Sequence, residues 1–129
     1  KSNEAYKNYI SKYFKLGLLI TILIAVFTYI FSDMIIYVFS REKIDYSSKI
    51  LSILGFIPFF AMLNFKNVIY LLVNDLKSIL NKATFFTMIF MLLSSLILSY
   101  LYSGLGLAYA LVFTELVSFI IHYYLINKK

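Results

Sequence analysis

The chain has no cysteine, no tryptophan, one proline and four glycines. Without thiols it can form no disulfide framework, no thiolate nucleophile and no cysteine-ligated metal centre. With one histidine, a zinc site is excluded as well. Charge is also scarce: 14% of residues are charged, against about 25% in an ordinary soluble domain. What is abundant is apolar and aromatic: 62% hydrophobic residues, 13 Phe, 12 Tyr and a mean hydropathy of +0.87. A chain of 129 residues cannot hide that much apolar surface in a water-soluble core, so a lipid bilayer is its expected solvent. The net charge of +6 is compatible with nucleic acid on charge alone. The lysines, however, gather at the ends of apolar runs, a membrane-topology signal, and no nucleic-acid partner is expected. The chain opens on Lys1 with no n-region, short apolar core and cleavage site, so it reads as a piece of a longer polypeptide.

Four windows are long enough to cross a hydrocarbon core of roughly 30 Å, which takes about 20 helical residues. They are Leu16–Phe39, Ile50–Val73, Ala83–Tyr102 and Leu105–Ile126. Unbroken apolar runs of this length mean helices, because only helices satisfy their own backbone within lipid. The links "SREKIDYSSK", "NDLKSILNK" and "SG" are short enough to make neighbouring helices antiparallel. Ahead of the first window, "YKNYISKYFK" sets Tyr6, Tyr9, Ile10, Tyr13 and Phe14 on one face and Lys7, Asn8, Lys12 and Lys15 on the rest. That pattern predicts an interfacial amphipathic helix lying on anionic headgroups. The expected fold is therefore all-α: four antiparallel transmembrane helices preceded by an amphipathic helix.

Orientation follows from the basic residues. Lys1, Lys7, Lys12, Lys15, Lys77, Lys82, Lys128 and Lys129 fall on one side, and Arg41, Lys43 and Lys49 on the other, diluted by Glu42 and Asp45. The imbalance places both ends in the cytoplasm. Tyr13, Tyr37, Tyr100, Tyr102, Tyr123 and Tyr124 then sit near the interfaces as an aromatic belt.

Small residues mark helix contacts in lipid. Gly17, Thr21, Ala25, Thr28 and Ser32 form such a stripe in the first span, and Thr84, Thr87, Met91, Ser95 and Tyr102 a second in the third. Gly104 and Gly106 permit a tight reversal, and Gly106 with Ala110 gives a small-xxx-small pair for close approach. In the second span Lys66, Tyr70, Asn74, Asn67 and Asn64 share an arc of about 160° with Leu63 and Leu71. Pro58 is expected to kink that helix. In the fourth span Ala108, Leu111, Glu115, Ser118 and His122 lie on one face, with Phe113, Leu116, Val117 and Ile120 turned away. A carboxylate near the bilayer midplane costs several kcal/mol unless paired, hydrated or protonated. Asn64, Lys66, Asn67, Glu115 and His122 are therefore the candidate substrate path, with Lys66 and Glu115 within reach of pairing if their faces meet. Each has a plainer reading: snorkelling for Lys66, an interfacial place for His122 and for Asp33, a structural hydrogen bond for Glu115. "GLG" follows no strand and is no nucleotide fingerprint, and no nucleophile–base pair at usable spacing appears. Neither an enzyme nor a cofactor is expected.

The stretch "SLILSYLYSGLGLAYALVFTEL" and its short basic tail resemble the last helix pair of polysaccharide (O-antigen type) flippases, in the multidrug/oligosaccharidyl-lipid/polysaccharide exporter superfamily. Tyr102, Gly104, Gly106, Ala108, Ala110 and Glu115 occupy the positions that carry the likeness, and "NDLKSILNKATFF" resembles the family's link between its tenth and eleventh helices. The usual turn proline is replaced by "SYLYSG". The resemblance covers essentially the whole chain. It implies that residues 1–129 are the C-terminal transmembrane region of a twelve-helix transporter. The implied partners are membrane lipids, a lipid-linked oligosaccharide and the N-terminal half of the same transporter. The implied activity is translocation of that oligosaccharide across the bacterial cytoplasmic membrane by alternating access, with Glu115 a possible place for a coupling ion. A cation-coupled multidrug exporter of the same superfamily and a non-transporting four-helix scaffold subunit are the alternative expectations.

The topology is directly testable. Single cysteines at Ser47 and Ser78 should differ in labelling by a membrane-impermeant thiol reagent in intact cells, with Ser47 reacting and Ser78 protected. The reverse pattern would invert the orientation.

Overall fold

The computed structural model describes residues 2–128, with side chains from Asn8 onward. Lys1 and Lys129 of the orientation argument, and the side chains of Tyr6 and Lys7, lie outside the described residues. Four helices follow one another: α1 (Ser2–Ser40), α2 (Asp45–Leu54), α3 (Ile57–Val73) and α4 (Lys77–Asn127). The all-helical expectation holds; the count of four spans does not. Three helical stretches, Asn8–Ser40, Asp45–Val73 and Lys77–Asn127, are long and apolar enough to cross a membrane. The expected third and fourth spans are two arms of the single 51-residue α4. Nor is there a separate amphipathic helix. Nothing in "YKNYISKYFKLGLL" breaks a helix, so the Tyr/Lys segment is the first turns of α1 itself. There Tyr9 and Tyr13 stack one turn apart with ring centroids 6.0 Å apart, both exposed.

Each break has a local cause. Arg41 ends α1 in the left-handed region, with φ 57. The Ser40 hydroxyl accepts the Glu42 N–H at 3.2 Å and lies 2.8 Å from the Ile36 carbonyl, covering groups the helix end leaves free. The expected helix Ile50–Val73 is divided between α2 and α3 at Gly55–Phe56. Pro58 does not kink a continuous helix there; it occupies the first turn of α3, where its missing N–H costs little. The break falls ahead of the proline because its ring crowds the preceding turn, and the Phe56 N–H turns to the Ile53 carbonyl at 3.1 Å. At the other end of α3, Asp75 adopts φ 54. The Leu76 N–H then reaches the Leu71 carbonyl at 2.8 Å and the Asp75 N–H the Leu72 carbonyl at 3.2 Å, a Schellman motif with aspartate at the left-handed position.

The kink in α4 lies at Ser103, whose φ of 54 and ψ of −134 are far from helical. No glycine has a positive φ among the described residues, so the reversal is made by the serine, and the neighbouring glycines serve contact instead. Beyond Ser103 the chain folds back. A Cβ on Gly106 would run into the backbone carbonyl of Leu98, eight residues earlier. Along a straight helix those positions would be about 12 Å apart. Phe86 and Phe90 of the first arm share a cleft with Val117, Ile120 and Tyr124 of the second, so the arms run side by side. Gly104 meets Tyr46 and Ile50, and the Leu105 N–H donates to the Tyr46 hydroxyl at 3.2 Å, which ties the tip of the hairpin to α2.

The interior is built from small side chains. Ala25, Ala83, Ala108 and Ala110 are buried, and Leu71 is the one large side chain fully so among the described residues. Of the first-span stripe, Ala25 and Ser32 are buried and the rest half-buried, with Gly17 against Met62 and Thr28 against Gly55. The second stripe is only partly right: Thr87 and Ser95 are half-buried, but Thr84, Met91 and Tyr102 are exposed. That contact face is centred instead on Ala83, Thr87, Phe90, Ser94 and Leu98, because the second arm approaches along the line through Leu98. Large apolar groups lie outside, with Phe39 85%, Leu96 68% and Tyr100 90% exposed. In water this arrangement would be inside out. In lipid it is the packing expected of membrane helices, small residues in contact and large ones toward acyl chains.

Two substitutions separate the causes of the reversal. Gly106→Ala should sharply lower the folded yield in detergent, because the obstacle is backbone and cannot rotate away, whereas exposed Ile120→Leu should be silent. Ser103→Gly should raise the thermal midpoint, by relieving roughly 1 kcal/mol of backbone strain. Equal yield for Gly106→Ala and Ile120→Leu would dismiss the close contact.

Candidate functional site

Where α3 lies against the two arms of α4, a groove of about 610 Å³ opens. α3 contributes Asn64 and Val68, the first arm Asn81, Thr84, Phe85 and Met88, and the second arm Glu115, Ser118 and His122. The second-arm residues recur at spacings of three and four, so one face of the helix presents all of them. The hairpin supplies the first-arm residues, because folding back at Ser103 brings positions 80–88 beside 115–122.

A row of buried polar groups crosses the base of the groove. The Asn64 amide donates from Nδ2 to Ser118 Oγ at 2.9 Å, a bond between residues 54 positions apart. The His122 ring lies with Nδ1 2.7 Å from the Ser118 carbonyl oxygen and 3.4 Å from Ser118 Oγ. A carbonyl can only accept, so Nδ1 carries a proton; in the neutral form of the ring Nε2 is then an acceptor. Asn64, Ser118 and His122 are 8%, 7% and 3% exposed. Even so, Asn64 Oδ1 and His122 Nε2 find no hydrogen-bond partner among the described residues. Thr114, one position before Glu115, returns its hydroxyl to the Ala110 carbonyl at 2.7 Å and makes no demand on the groove.

The five candidate path residues thus separate. Asn64, Glu115 and His122 line the groove. Asn67 is half-buried beside it, its Nδ2 unpartnered among the described residues. Lys66 is exposed, and no ion pair joins it to Glu115 among the described residues, where the one ion pair is the surface contact Lys77–Asp75 at 3.0 Å. The helix geometry accounts for this: Asn64 and Lys66 sit about 160° apart around α3, at opposite edges of its polar arc. His122 is buried among the helices, while Asp33 is exposed. The four packing candidates all meet neighbours or are buried: Gly17, Gly104 and Gly106 as described, and Ala110 with no exposed surface. Ser118, Asn81, Thr84 and Met88 belong to the groove without having been singled out as site residues. Ser118 was legible as the residue between Glu115 and His122 on their shared face. Asn81, Thr84 and Met88 repeat at three and four, a helical signal cut by reading Asn81 into the link and the other two into the following span.

Comparison with protein-family models, curated proteins and solved structures finds no match for this chain.

The interhelical bond gives a quantitative expectation. Asn64→Ala and Ser118→Ala should show coupling in a double-mutant cycle of unfolding in mixed micelles. The interaction energy should be about 0.6 kcal/mol and no more than roughly 1.7, the range measured between membrane helices. Strict additivity would mean that the pair does not lock α3 to the second arm.

Proposed function

We propose that this chain forms part of a membrane transporter of the polysaccharide-flippase type, and that the groove bordered by Asn64, Glu115, Ser118 and His122 is one wall of its substrate path. The observation that supports the reading most is the contrast between that groove and everything around it. The outward surface of the helices is apolar, yet at one place four polar side chains converge on open space, two of them with buried acceptors left unpartnered. Polar groups at membrane depth are costly and mark paths for polar cargo more often than they serve packing alone. A saccharide offers the matching chemistry, hydroxyls that donate to acceptors and carbon faces that rest on flanks such as Val68, Phe85 and Met88. On this reading the substrate is a lipid-linked oligosaccharide, the membrane is the bacterial cytoplasmic membrane with both ends of the chain on its inner side, and the opposite wall belongs to the N-terminal half of the transporter. Access alternates as the two halves rock about the cargo.

The Asn64–Ser118 bond favours a second reading, since polar bonds across helices also hold non-transporting bundles together. Export of surface polysaccharide in cells whose own copy is replaced by variants separates the two. At unchanged membrane abundance, Glu115→Gln should reduce surface polysaccharide about tenfold, the size expected for one lost charge-assisted contact, and Asn64→Ala roughly fivefold, as for one neutral hydrogen bond. Lys66→Met should stay near wild type. Normal export from both groove variants would leave the scaffold reading standing in place of the transporter.

A further inference from the structure

We infer that the groove is an acceptor-lined site, selective for a ligand group that donates N–H or O–H bonds and unsuited to phosphate. The inference rests on the groove being the substrate path and names the chemistry it takes.

The donor and acceptor inventory of the wall leads there. With the Nδ1 proton on the Ser118 carbonyl at 2.7 Å, Nε2 of the neutral form of the ring is a buried lone pair without a partner among the described residues. Asn64 uses an amide N–H on Ser118 Oγ, so its buried Oδ1 presents another. Glu115 adds a carboxyl group, which accepts at both oxygens when ionised. Among the described residues no lysine or arginine lines the groove, and Lys66 is exposed on another part of α3. Asn81 and Thr84, from the first arm, are neutral and exposed and can donate as well as accept, and Asn67 Nδ2 is an unpartnered donor beside the groove. Within the lining itself the two buried atoms left without partners among the described residues are both acceptors.

A phosphate brings more acceptors and negative charge to a wall that already has both. It would leave Asn64 Oδ1 and His122 Nε2 unsatisfied and would face the glutamate. A bound metal fits no better: no group of three His, Cys, Asp or Glu side chains is placed to hold one among the described residues, and hard cations prefer a shell of oxygens to an imidazole. An ammonium or a hydroxyl fits, since each supplies the hydrogens that the two orphaned acceptors lack. Glu115 distinguishes these two sources, because its charge strengthens the bond to an ammonium far more than to a hydroxyl.

The chain has one histidine, so its imidazole nitrogens report on the site alone. The test uses the chain labelled with 15N-histidine in lipid nanodiscs at pH 8, where a neutral ring is observed, titrated separately with methylammonium, methyl glucoside and inorganic phosphate. The Nε2 resonance should shift saturably with at least one of the first two while Nδ1 stays bonded to its carbonyl, and phosphate should move neither. Glu115→Gln should weaken methylammonium about tenfold, as loss of one charge-assisted bond does. If methyl glucoside alone binds, and equally to Glu115→Gln, the donor is a hydroxyl. A saturable Nε2 shift with phosphate, or none with any probe, overturns the inference. Loss of export in Asn64→Ala with no probe binding to the parent chain would keep the transport reading and end this one. Saturable binding with export untouched by Asn64→Ala would do the reverse.

Discussion

The arrangement depends on one close approach, Gly106 against the backbone of Leu98. A helix the length of α4 would extend about 76 Å if straight, well beyond a bilayer of roughly 30 Å of hydrocarbon. Folding back at Ser103 turns that excess into two neighbouring arms. It is possible only where the second arm carries no side chain at the crossing point, since a Cβ would occupy the space of a peptide carbonyl. Everything on the second arm inherits its position from this contact. Ala108 and Ala110 come next along the same buried line, followed by Thr114, Ser118 and His122 at spacings of four.

Small residues at the contacts have an energetic consequence as well as a steric one. Within lipid there is no hydrophobic gain in pressing leucines together, so association relies on backbone proximity, dispersion and a few hydrogen bonds. The structure follows that economy: alanine, glycine, serine and threonine at the interfaces, interhelical bonds at Asn64–Ser118 and Leu105–Tyr46, and threonine hydroxyls returned to their own helix, as at Thr21, Thr87 and Thr114. A bundle held this way tolerates an open groove along one side, because no continuous core has to close over it.

Much of this was legible in the sequence, and the failures have specific causes. Hydropathy identified the membrane-length segments, and small-residue spacing found the face of α1 that contacts α2 and α3. The 100° rotation per residue placed Glu115, Ser118 and His122 together. Boundaries were less legible where backbone preference is decided by contacts across the fold. Ser103 takes the left-handed conformation although glycine follows it, because Gly104 is required against Tyr46 and Ile50. Pro58 suggested a kink within one helix; the ring instead divides the segment at Gly55–Phe56, and the proline falls in the first turn of α3. Continuity of the first helix was hidden by its change of composition at Leu16, a change of environment along a helix and not of secondary structure. Pairing of Lys66 with Glu115 was a vertical estimate, and rise along a helix says nothing about which way around it a side chain lies.

That angular separation has a consequence for the electrostatics of the proposed path. With Asn64 turned toward the second arm, Lys66 is on a different side of α3, is exposed, and forms no ion pair with Glu115 among the described residues. Apart from Lys66, the lysines flank the apolar segments, and among the described residues the only charged side chain in the groove lining is Glu115. For a cargo with a phosphate at one end and sugars at the other, such a division sorts the two ends by chemistry. On the proposed reading the sugar end would meet lone pairs that need hydrogens, while the phosphate would gain nothing by entering and would stay at the membrane surface, where the cations are. A wall that neutralised its own carboxylate with Lys66 would lose that distinction, so in the proposed path the place of the lysine, outside the groove lining, would matter as much as the groups within it.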